Sequence, residues 1–331
     1  MSQNPKIIKK AIKTLDQKFL SELLPEAKYK GFRGKICITG GTENYTGAVY
    51  YTALASLRAG ADLTYLYCSA NNSNVIRSYS PELIVHPYLY NDFDDDLLLQ
   101  DGFQQKRLEK LIDNIKIWFP RFTCFVIGPG LGGREKPEIM VRMLAEMIKN
   151  IPENRPLILD ADALYFIANN LSEIEKLMGE SCQFPSLTLL TPNLVEYQRL
   201  MNCKFLPESK LFKNCIVLQK GKTDILHFYK NNQVDKQIFY DYDDKTFSIN
   251  RRPGGLGDVL VGILATYLNW FHKKDGVSVE GSEDFLIKTL EQSLSLNRAC
   301  QRIAYNSKGV GMLSTDVIDC ISETTFDPYK N

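Results

Sequence analysis

Short apolar and β-branched runs alternate with segments of helical periodicity, and this alternation restricts the fold more than any other feature of the sequence. Several of the runs are apolar throughout, and strands buried on both faces belong to parallel sheets covered by helices. The alternation therefore predicts a doubly wound α/β layer. The predicted strands are residues 35–39, 63–68, 83–86, 124–127, 157–160, 187–191 and 215–219, and the predicted helices are 48–59, 105–119, 138–148 and 194–201.

The two ends of the chain follow other patterns. Three later runs, at 224–229, 237–240 and 246–249, are separated by polar turns and predict antiparallel hairpins. We expect residues 7–24 to form an amphipathic first helix and residues 285–305 a long last helix. Because no repeat or compositional break divides the chain, we expect residues 1–331 to be one domain, with 1–20 as an N-terminal extension or first helix.

Composition excludes several classes of protein. The 331 residues are 44% apolar, which suffices for a large core, and the net charge of +1 leaves no electrostatic footprint for nucleic acid or an anionic membrane. No apolar window is long enough to span a membrane, and no secretory signal is evident. Eight cysteines without a Cys-x-x-Cys pair indicate a reducing compartment, so we expect a cytoplasmic protein. Three scattered histidines disfavour a zinc site.

The glycine loop at residues 251–258 opens an apolar run at 259–271 that is typical of a buried helix. Glycines let backbone N–H groups converge on a phosphate, and the helix N-terminus adds partial positive charge. Asp258 would lie beside this anion site, where a carboxylate has a task as a general base. An N-terminal helix cap is the structural alternative.

Ligands of open parallel sheets bind at the carboxyl ends of the strands, and two predicted strand ends there are rich in glycine. In the loop 39–47, Tyr45 could stack on a ring or bond a ribose, although such a turn can also merely join strand to helix. The loop 128–133 has neither Walker nor dinucleotide-fold spacing, and ligand contact is the interpretation we favour for it.

Three further strand ends carry polar side chains. Of Asp160 and Asp162, we expect one to cap the following helix and the other to order a metal-bound water or a substrate hydroxyl. Asn193 and Glu196 have capping-box spacing, with Mg²⁺ held through water beside phosphates as the functional alternative. The loop 220–224 could contact nucleotide phosphate or ribose, or be solvated.

Two acidic runs, at 92–96 and 241–244, alternate with aromatic residues. We interpret both as solvated turns and not as metal sites.

Six of these motifs, in order along residues 20 to 320, resemble the ATP-dependent NAD(P)H-hydrate dehydratases of the ribokinase-like superfamily. They read GTENYTGA from Gly41, GPGLG from Gly128, LDADAL from Leu159, LTPNLVE from Leu190, QKGKTD from Gln219 and GGLGD from Gly254. The resemblance implies a three-layer α/β/α sandwich whose mostly parallel central sheet carries an antiparallel edge hairpin. It also implies a hydro-lyase in metabolite repair, which uses ATP to dehydrate the (6S) hydrates of NADH and NADPH, called NADHX and NADPHX, and releases ADP and phosphate.

Residue roles follow from the resemblance. It implies that Asp258 is the base that deprotonates the C6 hydroxyl for attack on the γ-phosphate, and that Glu196 orients Mg²⁺ through water. The implied anion hole is Gly254, Gly255, Leu256 and Gly257. The implied ATP-binding residues are Lys220, Gly221, Lys222, Thr223, Asp224, Ser248, Ile249, Asn250, Arg251, Arg252 and Pro253, with the anion hole. The implied NAD(P)HX-binding residues are Tyr45, Gly130, Asn193, Leu194, Val195, Glu196, Tyr197, Gln198, Arg199 and Asp258.

The sequence departs from the family pattern at three positions. Val49 stands where a proline is expected, Gly133 precedes the expected arginine, and Leu256 replaces a polar residue at a position that contributes mainly its backbone N–H. We expect no epimerase domain in this chain, so that a separate epimerase is its functional partner, and relatives suggest a homo-oligomer. The alternatives are a kinase of the same fold acting on a small alcohol or vitamin precursor, and a non-catalytic nucleotide sensor.

Overall fold

The computed structural model describes residues 5–11, 15–89, 103–179, 183–203, 209, 211, 214–242, 249–275 and 282–324. Ten strands within these ranges are β1 (Lys6–Ala11), β2 (Lys35–Thr39), β3 (Leu63–Ser69), β4 (Ile84–Leu89), β5 (Cys124–Ile127), β6 (Leu157–Leu159), β7 (Thr188–Leu190), β8 (Asn214–Gln219), β9 (Asp224–Lys230) and β10 (Gln233–Asp241). The first helices are α1 (Gln17–Leu23), α2 (Thr46–Arg58), α3 (Ala70–Tyr79), α4 (Phe103–Lys116) and α5 (Pro137–Asn150). They are followed by α6 (Asp162–Asn169), α7 (Leu171–Met178), α8 (Leu194–Asn202), α9 (Leu256–Asp275), α10 (Glu283–Lys308) and α11 (Ser314–Thr324).

All ten strands form one sheet in the order β1-β10-β9-β8-β7-β6-β5-β2-β3-β4. The strands from β8 to β4 in this order pair in parallel, whereas β9 pairs antiparallel with both β8 and β10. Because the short central strands are apolar on both sides, each face of the sheet must be covered. The carboxyl ends of the parallel strands therefore share one edge of the sheet.

Two apolar cores lie on opposite faces of this sheet. One contains buried residues of α1, α2, α9, α10 and α11, with Leu264 and Leu290 fully enclosed. The other contains buried residues of α4 to α8, among them Leu144 and Phe166. Helices on both faces make a three-layer sandwich, and the predicted fold class, including its antiparallel edge hairpin, is confirmed.

The prediction for the N-terminal segment was wrong in its first half. Residues 6–11 form β1, which pairs in parallel with β10, and the helix begins only at Gln17. The segment extends because it completes the edge of the sheet, with Ile8 opposite Ile238 and packed against the core. Asp16 caps α1 by accepting a hydrogen bond from the Phe19 N–H at 3.0 Å.

Other predicted elements differ in smaller ways. The helix predicted at 285–305 is α10, but it is not the last helix, because α11 follows and packs against α2 and α10. The polar or short helices α3, α6 and α7 were not predicted. The acidic run 92–96 lies outside the described residues. So do residues 243–248, which include most of the third hairpin run at 246–249. Asp241 ends β10 instead of lying in a turn, and its carboxylate accepts a hydrogen bond from Thr223 Oγ1 at 2.9 Å.

Among the described helices, none is both long and apolar enough to cross a membrane.

Candidate active site

A cleft of about 830 Å³ opens at the carboxyl end of β8, beside the N-terminus of α9. The loop 220–224 after β8 forms one side, and another side is formed by Arg252, Pro253, Gly255, Leu256, Gly257 and Leu260. Residues 297, 298 and 301 of α10 close the cleft, and Asn193 from the end of β7 also reaches it. The parallel sheet thus brings several of the predicted strand-end motifs to one place.

The glycine loop that contains residues 254–257, called the anion loop below, is held in shape by contacts with α2 and α11. Gly255 has φ +95°, and a Cβ there would lie 2.6 Å from the Tyr51 ring, so this position requires glycine. Ser314 of α11 donates a hydrogen bond to the Gly254 carbonyl at 2.6 Å. This bond ties the loop to the start of α11. Helix geometry leaves the N–H groups of Leu256 and Gly257 available to an anion, whereas the Asp258 N–H bonds to its own carboxylate.

Asp258 is the third residue of α9, so it is not the N-terminal cap that the structural alternative required. Burial, together with the negative charges of Asp160 and Glu196, raises the pKa of its carboxyl to about 7, against the lowering effect of Lys220. A carboxyl with a pKa near neutrality accepts a proton far more readily than an ordinary aspartate. Asp258 is therefore poised as a general base beside the anion loop.

Lys220 forms a buried ion pair that crosses the strand ends. Its Nζ lies 2.7 Å from Asp160 Oδ1, which also accepts a hydrogen bond from Thr191 Oγ1 at 2.6 Å. Burial lowers the pKa of Lys220, but the neighbouring charges of Asp160, Glu196 and Asp258 outweigh burial and raise it overall. A Cβ added to Gly257 would lie 3.4 Å from this ammonium, which places a fixed positive charge at the start of α9.

The expectation that Asp160 or Asp162 caps the following helix was wrong. The cap position of α6 is Ala161, which has φ +47° and makes no side-chain capping bond. Asp162 instead accepts hydrogen bonds from the Gly132 N–H at 2.9 Å and from Arg134 Nη2 at 2.6 Å. The two carboxylates therefore bind opposite neighbours, Lys220 on one side and the loop 128–133 on the other.

The glycines of the loop 128–133 have a packing role. A Cβ on Gly128 would lie 1.8 Å from the Asp160 carbonyl oxygen, and one on Gly130 would lie 2.6 Å from the Tyr45 carbonyl oxygen. The Gly130 carbonyl accepts hydrogen bonds from the N–H groups of Gly41, at 2.8 Å, and Thr42, at 3.1 Å. Close approach between neighbouring strand ends therefore accounts for these glycines without a ligand. At the two departures nearby, a Cβ on Gly41 would lie 2.7 Å from Val49 Cγ1, and a Cβ on Gly133, which has φ +72°, would lie 2.5 Å from Met140 Cγ.

Asn193 and Glu196 form the capping box at the start of α8. Asn193 Oδ1 accepts from the Glu196 N–H at 3.0 Å, and Glu196 Oε2 accepts from the Asn193 N–H at 2.9 Å. Burial raises the pKa of Glu196, an effect that Lys220 opposes. No group of three or more His, Cys, Asp or Glu suited to a metal occurs in the described part of the chain. Mg²⁺ commonly takes only one or two carboxylates with phosphates and water, and Glu196, whose Oε2 accepts from Asn193, can offer its second oxygen, Oε1.

A second buried ion pair orders the loop 220–224. Arg298 of α10 donates to Asp224 Oδ2 at 2.8 Å and to the Gly221 carbonyl at 2.9 Å. Its guanidinium lies 4.3 Å from the centre of the Tyr242 ring, and the Tyr242 hydroxyl bonds to Asp224. Asp224 also accepts from the Gly221 N–H at 2.8 Å. Asp224 thus shapes the loop from within, and sequence reasoning missed Arg298 and Tyr242 because neither lies in a glycine-rich motif.

The structure brings most of the predicted ATP-binding residues together and distributes the others nearby. Asn250, Arg251 and Gly254 are adjacent to the cleft without lining it, and Ser248 lies outside the described residues. Those that line the cleft are Lys220, Gly221, Lys222, Thr223, Asp224, Ile249, Arg252, Pro253, Gly255, Leu256 and Gly257.

Of the predicted dinucleotide-binding residues, only Asn193 lines the cleft. Tyr45, Leu194 and Val195 are exposed. Gln198 is also exposed, and Arg199 lies 5.4 Å from the centre of the Tyr165 ring. The Tyr197 hydroxyl points inward to that of Tyr229, at 3.2 Å. These residues lie along the strand ends beyond the cleft.

Fold and site together define a ribokinase-like α/β enzyme with a carboxylate beside a glycine-rich helix terminus. The fold is shared with a ribokinase-like superfamily protein from Enterococcus faecalis V583, at a TM-score of 0.64 and 17% identity, covering 97% of each chain. It is also shared with an ADP/ATP-dependent NAD(P)H-hydrate dehydratase from Bacillus subtilis co-crystallized with ATP/Mg²⁺ and soaked with CoA, at a TM-score of 0.55 and 16% identity, covering 95% of this chain and 97% of that one.

Sequence comparison is more specific. The family model described as NAD(P)H-hydrate dehydratase matches residues 36–323. The ATP-dependent (S)-NAD(P)H-hydrate dehydratase of Pediculus humanus subsp. corporis is 34% identical over 322 residues, covering 93% of this chain and 94% of the relative. The chain therefore belongs to the NAD(P)H-hydrate dehydratase family.

Proposed function

We propose that this protein dehydrates (6S)-NADHX and (6S)-NADPHX to NADH and NADPH at the expense of ATP. The observation that carries the proposal is Asp258, a carboxylate with a pKa raised to about 7 at the third position of the anion-binding helix α9. Family membership supplies the substrate class. The cleft beside α9, formed largely by the residues predicted to bind ATP, supplies the place for the triphosphate.

The reaction begins at the C6 hydroxyl of the hydrate. Asp258 takes the hydroxyl proton, and the oxygen attacks the γ-phosphorus as the bond to the β-phosphate oxygen breaks and ADP leaves. The N–H groups of residues 255–257 and the Lys220 ammonium stabilise the charge on the transferring phosphoryl group. Cleavage of the C6–O bond then expels phosphate, and loss of a proton from C5 restores the ring double bond.

We propose Mg²⁺ as the metal of this reaction, with Glu196 Oε1 as a ligand through water. When bound, Mg²⁺ would neutralise charge on the phosphate oxygens. Lys220 would supply a second positive charge to the phosphates, and its pairing with Asp160 keeps the ammonium charged and in place.

The products decide between this proposal and a kinase of the same fold. Phosphorus NMR after incubation with ATP, Mg²⁺, NADHX and a panel of small alcohols should show ADP and inorganic phosphate in equal amounts, with no phosphate ester other than the nucleotides and dinucleotides. An accumulating phosphate ester on a small alcohol would replace the dehydratase with a kinase.

The setting of the enzyme is a further part of the proposal. The described cysteines are free thiols, which supports a reducing, cytoplasmic location. We propose a separate epimerase as functional partner, because an S-specific enzyme consumes one epimer only. Adding epimerase to a mixture of both epimers should raise the final NADH yield to completion. A homo-oligomer, also proposed, is tested by light scattering of the purified protein.

A further inference from the structure

The wall of the cleft formed by α10 carries two buried amide side chains. Asn297 and Gln301 are each 4% exposed, and their i, i+4 spacing puts them on one face of the helix, where both line the cleft. Asn297 Oδ1 is buried and has no hydrogen-bond partner within the described ranges. A buried polar atom left without a partner destabilises the fold unless a ligand supplies the bond.

Other buried polar side chains of α10 have partners, although Arg298 Nε, a donor, also lacks one within the described ranges. Gln292 Oε1 accepts from the Asp16 N–H at 2.8 Å, and Ser295 Oγ donates to the Glu291 carbonyl at 2.9 Å. Arg298, directly after Asn297, is bound to Gly221 and Asp224. Asn297 therefore stands apart from its helix neighbours, and it is the one of these that combines a position on the cleft with an unsatisfied acceptor.

Its position in the cleft suggests what it binds. Positive charge and free N–H groups lie at the α9 end, where Lys220 and the anion loop would hold phosphates. The α10 wall offers two neutral amides beside Arg298, whose charge is paired with Asp224, and the cleft is also lined by the apolar Ile249 and Leu260. A planar base with polar edges suits such surroundings, because apolar side chains contact its faces and amides bond its edge.

We propose that Asn297, assisted by Gln301, recognises the nucleobase of the triphosphate and selects a 6-aminopurine. The unsatisfied Oδ1 would accept from the exocyclic amino group, and the paired amide donors would reach a ring nitrogen, a pattern that suits adenine. A 6-oxopurine presents an acceptor where this acceptor already lies. The inference deepens the proposed function, since it rests on the cleft being the triphosphate site.

The test compares ATP with ITP, which carries oxygen in place of the 6-amino group. We expect the wild type to favour ATP by about 5- to 100-fold in kcat/KM, the range of one well-made base contact. Asn297→Leu should bring this ratio close to one, mainly by raising KM for ATP, because the chemistry takes place at the α9 end. Gln301→Met should lower the ratio in the same direction, which keeps the proposal testable if one variant folds poorly.

Ser295→Ala is the matched control, on the same helix but away from the cleft, and should keep the wild-type ratio. Equal use of ATP and ITP by the wild type would overturn the inference. An Asn297→Leu variant in which kcat/KM falls by the same factor for both nucleotides would also overturn it. Calorimetric binding of ATP and ITP without NADHX separates the two proposals. Selective ATP binding with no NADH formed would reject the dehydratase and keep the base-recognition site.

Discussion

Asp258 is the residue on which the proposed chemistry depends. Asp258→Asn keeps the size of the side chain and removes its capacity to take a proton. We expect turnover to fall by about 10²-fold or more, the usual contribution of a general base, while ATP affinity measured by calorimetry changes little. Turnover within a few-fold of the wild type would remove Asp258 from this role.

The pKa of Asp258 also predicts a pH dependence of activity and stability. In the wild type, kcat/KM should fall as pH drops through about 7, because the carboxyl becomes protonated. The folded-state pKa is raised from 3.8, so the folded protein favours the protonated form, and stability is lost as pH rises from about 4 to about 7. Asp258→Asn should therefore melt a few degrees higher than the wild type at pH 8, and at the same temperature near pH 4. Equal melting temperatures at pH 8 would show that the Asp258 charge does not destabilise the folded protein.

Lys220 has both a structural and an electrostatic effect. Lys220→Met leaves Asp160 buried without its cation, and we expect urea unfolding to show a loss of about 3 kcal/mol. Because Lys220 lowers the pKa of Asp258, its loss should raise that pKa. Any remaining activity should then begin to fall at a higher pH on acidification than in the wild type. The exposed Lys222 serves as the stability control, since Lys222→Met should change the free energy of unfolding by less than about 0.5 kcal/mol. Similar values for the two variants would show that the Lys220–Asp160 pair contributes little.

At the scale of elements, two variants of Glu196 at the N-terminus of α8 distinguish its role as a helix cap from its proposed role as a metal ligand. Glu196→Gln retains an oxygen that can accept from the Asn193 N–H but loses the charge, so the melting temperature should hold while the half-saturating Mg²⁺ concentration rises. Glu196→Ala loses both, and should also cost about 1 kcal/mol of stability. The exposed Glu173 of α7 provides a charge-matched control in Glu173→Gln. An unchanged Mg²⁺ titration in Glu196→Gln would leave Glu196 as a cap alone.

The contact between α11 and the anion loop predicts an effect on catalysis from a residue outside the cleft. Ser314→Ala removes the hydrogen bond to the Gly254 carbonyl, which should cost about 1 kcal/mol of stability. Because the loop's N–H groups would be less well oriented, we expect kcat to fall roughly tenfold with a smaller change in KM for ATP. Thr315→Ala, one position along α11, should retain kcat. Equal kcat values in the two variants would reduce Ser314 to a packing role.

Local sequence patterns predicted the central elements well because those elements are decided locally. Strands β2 to β8 are short apolar runs bounded by turn residues, and their positions follow from that pattern. The pattern fails for β1, whose residues Lys6–Ala11 are compatible with either structure and extend because β10 offers an open edge. The partner strand lies more than 200 residues away in the chain, so no local signal could reveal it.

At the scale of the whole molecule, sheet order determines which motifs meet. The motifs after β7, β8 and at the start of α9 were predictable as strand-end and helix-start features. Their pairing was not, because the ion pair between Lys220 and Asp160 joins the ends of β8 and β6 across β7. Asn297, Arg298 and Ser314 were not predicted as site residues. They lie on α10 and α11, which pack against the loops of the cleft only in the folded chain. The one available signal was the i, i+4 spacing of Asn297 and Gln301 on a largely buried helix.

The most direct test of the account is absorbance at 340 nm after the purified protein, Mg²⁺ and ATP are added to prepared (6S)-NADHX. We predict that absorbance rises to the level of the NADH expected, with one phosphate released for each NADH formed, and that neither appears when ATP is omitted. If ATP is consumed while absorbance at 340 nm stays flat, the proposed dehydration is contradicted.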